Sequence, residues 1–188
     1  MTKLLLDDYS RYKMDNNPDT LFYLQPKLVY HLDKSFRNRL TTLYKNTIKE
    51  NTIVLDLMSS WVSHLPDIKY KKIIGHGLNE YELKKNKYLD YYWIQDLNVS
   101  QNIKLDENSI DYCLIVAGWQ YLQYPEKVAS EIYRILNPGG NIIVSFTNRA
   151  FWNKSPNIWV NSSEKERTIF VCNVLKAQGF KIKKIINE

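Results

Sequence analysis

Five short stretches of this chain place acids, amides, hydroxyls and aromatics directly after apolar runs: Asp56 to Ser60, Gly77 to Glu80, Asp96 to Leu97, Gly118 to Tyr121 and Asn148 to Trp152. In open parallel sheets, ligands bind beyond the carboxyl ends of the strands, near the point where strand order reverses, so these stretches are the candidate site. Trp119, Tyr121 and Trp152 offer flat surfaces for a planar or apolar substrate, with Asn148 beside them, and Arg149 offers a guanidinium for an anionic group. A nitrogen or oxygen nucleophile needs a proton acceptor, and His31, His64, Tyr121 and Tyr124 have the right chemistry; His31 and Tyr121 are the catalytic candidates. Other chemistries fail on geometry. Ser63, His64 and Asp67 contain triad residue types, but close neighbours on one short helix cannot form the relay, and no nucleophile elbow is present. Side chains at Met58, Ser60 and Val62 obstruct the close backbone approach that a dinucleotide pyrophosphate requires.

The elements that must position these residues alternate. Ile53–Leu57 reads as a buried strand, followed by a short helix ended by Pro66, a strand from Lys72 to His76 and a helix from Glu80 to Lys87. A strand from Tyr91 to Gln95, a polar loop, a strand from Ile110 to Val116, a helix from Pro125 to Leu136 and a strand from Asn141 to Thr147 continue the pattern. Such alternation predicts a mostly parallel sheet with helices on both faces. Asn79-Glu80-Tyr81-Glu82 has the form of a capping box, and Pro125 suits a first helical turn. Glu164 to Gln178 reads as a last helix stopped by Gly179, and Phe180 to Ile186 as a final alternating strand. At the other end, residues 1 to 25 form an arm or lid, and Leu28, Leu32, Phe36, Leu40 and Leu43 space an amphipathic helix from Pro26 to Lys45.

The string Leu57-Met58-Ser59-Ser60-Trp61-Val62-Ser63-His64-Leu65-Pro66 carries a resemblance. So do Asn79-Glu80-Tyr81-Glu82-Leu83, Gln95-Asp96-Leu97-Asn98, Asn137-Pro138-Gly139-Gly140 and Ser145-Phe146-Thr147-Asn148-Arg149. Over roughly residues 50 to 150 the chain resembles class I S-adenosylmethionine-dependent methyltransferases, in a type 11-like branch known from photosynthetic lineages where serines replace the loop glycines. The resemblance implies a Rossmann-like three-layer α/β/α fold with the last antiparallel strand expected to be missing. It implies S-adenosylmethionine as cofactor, held by Asp56, Met58, Ser59, Ser60, Asn79, Glu80, Asp96, Leu97 and Gly118. In that family an acid at the end of the first strand anchors the amino-acid part of the cofactor, which is the place of Asp56. The ribose acid usually follows the second strand, where this chain has Gly77 with Asn79 and Glu80 just beyond. Asp96-Leu97 occupies the place of the adenine contacts. Glycines in the first loop fall here on Met58, Ser60 and Val62, so the loop is expected to take another path. The substrate pocket implied comprises Tyr23, Trp119, Tyr121, Asn148, Arg149 and Trp152 under the N-terminal arm. The expected activity is methylation of an unidentified small molecule; the alternative is a catalytically inactive binding or regulatory module that kept the fold.

Composition sets the remaining bounds. With 188 residues, 44% hydrophobic and 24% charged, the chain reads as one globular domain, residues 1 to 45 forming arm and helix and 50 to 188 the core. No run approaches a membrane span and none resembles a secretory signal, so the expected location is the cytoplasm, with no membrane partner. Cys113 and Cys172 lack metal spacing, and no metal is expected. The formal charge of +6 comes with no nucleic-acid motif, so nucleic acid is not expected as a partner. An unpaired sheet edge would offer a route to a homodimer.

Overall fold

The computed structural model describes residues 2–187. Two single-turn helices, α1 (Asp8–Arg11) and α2 (Asp19–Phe22), precede the longer α3 (Lys34–Thr47). The core then runs β1 (Ile53–Leu57), β2 (Lys72–Gly77), α4 (Glu80–Lys85), β3 (Tyr91–Ile94), β4 (Ile110–Val116), α5 (Pro125–Ile135) and β5 (Leu136–Ser145). A short α6 (Asn157–Val160) and α7 (Glu164–Ala177) follow. The five strands pair in the order β3-β2-β1-β4-β5, all parallel. Strand order reverses between β1 and β4, so the sheet opens a crevice at the carboxyl end of β1.

Period-two alternation along β1 divides the core between the two faces. Leu55 and Leu57, with Cys113 and Ile115 of β4, pack against Val128, Ala129 and Ile132 of α5 and Val171, Val174 and Leu175 of α7. Val54, Ile73, Tyr112 and Leu114 pack on the other face against Leu40 and Tyr44 of α3. Strands covered on both faces are apolar nearly throughout, which is why β1 and β4 read as continuous hydrophobic runs. Asp56 is the exception in β1, and it points to the α3 side at the strand's end.

Local chemistry fixes several boundaries. Pro125 starts α5, and Ser163 and Glu166 cap α7 reciprocally. Gly179 stops α7 at φ +101, a left-handed position that glycine fills without a Cβ penalty. The turn Asn137–Gly140 lies within β5, where the ladder with β4 is interrupted and resumes at Tyr112 opposite Asn141.

Three sequence expectations are corrected. Helix α3 begins at Lys34 and not at Pro26, because the Asp33 carboxylate caps the Phe36 amide at 2.8 Å and residues 26–33 run across the crevice. No helix forms between β1 and Pro66; side chains take the loop's carbonyls instead, Asn86 bonding Ser60 at 3.0 Å and Thr41 bonding His64 at 2.9 Å. Residues 180–187 form no strand: Phe180 and Ile182 rest on the core, and Lys183 Nζ reaches Asn141 Oδ1, but no ladder joins them to β5. Among the described residues the sheet has no antiparallel strand.

The N-terminal arm is pinned by buried charge. Arg11 grips Glu126 with both terminal guanidinium nitrogens, at 2.9 and 2.8 Å, and the same two nitrogens also donate to the carbonyls of Gln123 and Leu6. Lys13 pairs with Asp19 at 2.8 Å, and Lys154 joins the cluster through Asp15 at 3.1 Å. Bidentate pairing with both terminal nitrogens also bonded to carbonyls is the geometry in which a buried ion pair holds its place.

Candidate active site

A cavity of about 350 Å³ opens at the carboxyl ends of β1 to β4 and is covered by residues of the arm. Its floor is Asp56, 5% exposed, whose Oδ2 accepts the Ser59 hydroxyl at 2.7 Å and the Ser63 hydroxyl at 2.5 Å. Burial pushes the Asp56 carboxyl above its ordinary range and the two hydroxyls partly offset this.

The loop after β1 keeps a left-handed turn without glycine: Met58 has φ +60. Expectation of another path is thus corrected at Met58, while Ser60 and Val62 have no positive φ. A buried histidine supplies the anchoring. His76 in β2 is pulled down to a pKa of about 4 by burial and is neutral at pH 7. Its Nδ1 accepts the Met58 amide at 3.2 Å, which leaves Nε2 to donate to the Gln95 carbonyl at 2.9 Å. One carbonyl further on the backbone, His76 O accepts the Ser59 amide at 2.6 Å. The loop is thereby drawn onto β2, and a Cβ at Gly77 would meet the Ser59 carbonyl oxygen at 2.6 Å. No side chain fits where the family places its ribose acid. Gly118 is constrained likewise, since a Cβ there would meet Met58 Cβ at 2.8 Å.

Helix α4 contributes a carboxylate that the sequence reading missed. Glu80 sits on its outer face, paired with Lys84 at 2.7 Å, and does not line the cavity; its expected place on the cofactor side is corrected. Glu82, two residues or about 200° further around the helix, faces inward. It is 6% exposed and accepts the Ser60 hydroxyl at 2.5 Å and the Lys27 amide at 2.6 Å. The capping box is therefore half formed: Asn79 Oδ1 caps the Glu82 amide, but the Glu82 carboxylate turns to the loop and the arm. The signal was present in Asn79-Glu80-Tyr81-Glu82, where the capping role alone was read. Asn79 Nδ2 in turn donates to the carbonyls of Tyr23 and Leu24, tying the arm to α4.

Asp96 and Leu97 line the cavity beyond β3, and Asp96 Oδ1 accepts the Asn98 amide at 2.8 Å. Partial burial raises the Asp96 pKa, while the Asn98 amide lowers it. Tyr23, Lys27, Tyr30 and His31 also line the cavity, with Tyr121, Arg149 and Phe151. Tyr121 and Phe151 stack with centroids 6.1 Å apart, and the Tyr121 hydroxyl accepts the Phe151 amide at 3.1 Å. His31 is half buried, which lowers its pKa, while Glu82 raises it. His64 also lines the cavity, held to a pKa of about 4 by burial and by Arg37.

Sequence-expected residues Asp56, Met58, Ser59, Ser60, Asn79, Asp96, Leu97, Gly118, Tyr23, Tyr121, Arg149 and His31 thus share one cavity. Four do not. Trp119 is 1% exposed and fills the core on the α5 and α7 side of the sheet. Asn148 and Trp152 lie off the cavity, Trp152 beneath the Arg167 guanidinium. Tyr124 packs against the cations of Arg11 and Lys127.

An all-parallel sheet, helices on both faces and a cavity at the reversal of strand order define a Rossmann-like α/β/α domain. Residues 59–144 match a family model described as a methyltransferase domain. Solved structures of similar fold include a SAM-dependent methyltransferase from Aquifex aeolicus, 18% identical, TM-score 0.57, with 82% of this chain and 92% of that one covered. Another, an S-adenosylmethionine-dependent methyltransferase from Mesorhizobium loti, is 16% identical with TM-score 0.54, covering 76% and 81% of the two chains. The (4+2)-cyclase SpnF is 16% identical with TM-score 0.58, covering 78% of this chain and 59% of its own. The chain spans little more than half the length of some matched structures, 52% in one case. A comparison with curated proteins gives no match. Residues 59–144 thus resemble a methyltransferase domain, and the solved structures of S-adenosylmethionine-dependent methyltransferases share this chain's fold.

The cofactor this family implies is S-adenosylmethionine, and the cavity's donor set fits it. Carboxylates at Asp56, Glu82 and Asp96 complement a sulfonium cation and an amino group, and Leu97 offers an apolar surface beside Asp96. With Gly77 closed by Ser59, Glu82 is the carboxylate of the β2–α4 region that reaches the cavity among the described residues.

Proposed function

We propose that this chain is an S-adenosylmethionine-dependent methyltransferase acting on a small molecule. The observation that carries this is a single cavity lined by three carboxyl groups, Asp56, Glu82 and Asp96, together with the aromatic rings of Tyr23, Tyr121 and Phe151. When bound, the cofactor supplies an electrophilic methyl on a sulfonium. Asp96 would hold the adenine amino group, the Ser59–Ser60 turn and Asp56 the amino-acid part, and Glu82 the ribose hydroxyls. The arm, tied down by Asn79 and Glu82, keeps water from the reacting atoms, and the aromatic walls align the acceptor. His31, neutral at pH 7 by virtue of its lowered pKa, is placed to take the acceptor's proton as the new bond to carbon forms. Tyr121 spends its acceptor capacity on the Phe151 amide and serves as wall.

Asp96→Asn tests this. Asparagine keeps an oxygen for the Asn98 amide but presents an amide where an amino group must be bound. S-adenosylhomocysteine should raise the melting temperature of the parent chain by several degrees and that of the variant by much less. Equal stabilisation of both would remove Asp96 from the site.

A second reading, a binding module without catalysis, draws on one observation: His76 and Ser59 have taken the space that a glycine loop and a ribose acid would leave open. No helix among the described residues is long and apolar enough to cross a membrane, and both cysteines are free, which suits a reducing cytoplasm. The β5 edge has no strand partner among the described residues, and pairing with a second copy there would give a dimer, read directly by light scattering.

A further inference from the structure

The buried side-chain polar atoms left without a hydrogen-bond partner among the described residues are Arg37 Nε, Tyr44 OH, Trp119 Nε1, Gln120 Oε1 and Trp159 Nε1. Two are indoles in the core. The other three belong to residues that line the one cavity: Arg37, Tyr44 and Gln120. Tyr44 is 0% exposed and Gln120 1%, and Ser145 flanks the Tyr44 hydroxyl without completing a bond. Buried polar groups in folded proteins are nearly always satisfied, so three orphans around one void mark positions where a bound molecule supplies the partner.

Arg37 sets the chemistry. It lies in the first turn of α3, seven residues before Tyr44 and so on the same helical face, roughly 10 Å further along the axis. Its guanidinium lies 3.6 Å from the centroid of Tyr30, which itself packs on Trp61 with centroids 4.8 Å apart. No carboxylate pairs with it among the described residues, although it is close enough to depress His64. A guanidinium held over an aromatic ring, with its Nε unpartnered and a neutral histidine near it, is arranged for an oxyanion. Gln120 Oε1 asks for the opposite, a hydroxyl or amino donor.

We propose that the methyl acceptor is a small planar oxyanion, a carboxylate or a phosphate, that carries a hydroxyl or amino group. Its anionic end is bound by Arg37 against Tyr30, its body lies on the Tyr121–Phe151 stack, and its donor faces Gln120. This inference rests on the methyltransferase reading of the cavity. In transfer, the acceptor's oxygen or nitrogen bonds to the sulfonium methyl, the carbon–sulfur bond breaks with its electrons staying on sulfur, and the acceptor's proton leaves for His31.

The test is equilibrium binding to the full chain without turnover, read by quenching of tryptophan fluorescence and by calorimetry. Probes are 4-hydroxybenzoate, 4-aminobenzoate, phenyl phosphate and the neutral methyl 4-hydroxybenzoate, each with and without S-adenosylhomocysteine. The acids should bind at least tenfold more tightly than the ester, and Arg37→Gln should abolish that preference while leaving the ester's affinity unchanged. Preference for phenyl phosphate over both benzoates would assign the oxyanion as phosphate. Equal binding of acid and ester to the parent chain would overturn the proposal whatever the variant does. Binding of S-adenosylhomocysteine with no discrimination among probes defeats this inference and spares the cofactor; discrimination among probes with no cofactor binding keeps an oxyanion site at Arg37 but overturns the methyltransferase reading and, with it, the acceptor role.

Discussion

At the residue scale the site turns on His76, which anchors the glycine-free loop after β1 through the Met58 and Ser59 amides. Because its folded pKa is about 4 against an ordinary 6.5, the unfolded chain binds this proton and the native one does not across that window. Stability is therefore complete above pH 6.5 and is lost as pH falls towards 4, by about 2 kcal/mol at pH 5 for this group. Urea unfolding of the parent chain and His76→Gln at pH 7 and pH 5 should show a smaller acid loss in the variant, by that amount. Gly77 gives a second prediction. Restoring the acid by Gly77→Asp forces a Cβ to within 2.6 Å of the Ser59 carbonyl, so the variant should lose about 1–3 kcal/mol in urea unfolding and gain no affinity for S-adenosylhomocysteine. Neither effect was legible in the sequence. The residues were visible at strand ends, but the contact between Ser59 and Gly77 is made across two strands and leaves no trace in spacing.

At the scale of elements, strands and the longer helices were legible because burial on two faces leaves unmistakable apolar runs. Ile53–Leu57, Ile110–Val116 and the α5 stripe Val128, Ala129, Ile132 and Ile135 were all readable in this way. What failed were elements whose fate depends on partners distant in sequence. Leu28 and Leu32 fit a helical spacing, yet Asp33 caps α3 after them and Glu82 holds the Lys27 amide, so the segment stays irregular along the cavity. The sequence reading places Glu80 on the cofactor side and Glu82 only in a capping box, but rotation about α4 turns Glu82 towards the cavity and Glu80 away from it. The arm's attachment yields a prediction of its own. Arg11→Met leaves the Glu126 carboxylate buried and unpaired, at a cost of about 3–5 kcal/mol measurable by urea unfolding. Asn79→Ala removes both the α4 cap and the arm's tether, and limited proteolysis within residues 24–33 should accelerate while the sheet core resists.

For the whole molecule, the organising fact is that one cavity joins carboxylates from β1, α4 and the β3 loop to aromatics and cations from the arm, α3 and the loop after β5. The α/β/α architecture explains why the carboxylates converge, since it brings the ends of β1 to β4 to one crevice. The arm explains why the crevice is enclosed. The SpnF match shows that a similar fold also occurs in a protein described as a cyclase, so cofactor binding has to be measured on this chain. The decisive measurement is a calorimetric titration of the purified chain with S-adenosylmethionine and S-adenosylhomocysteine. One-site binding of both at micromolar concentration is the predicted result; folded protein that gives no heat with either ligand across temperatures would contradict the methyltransferase account.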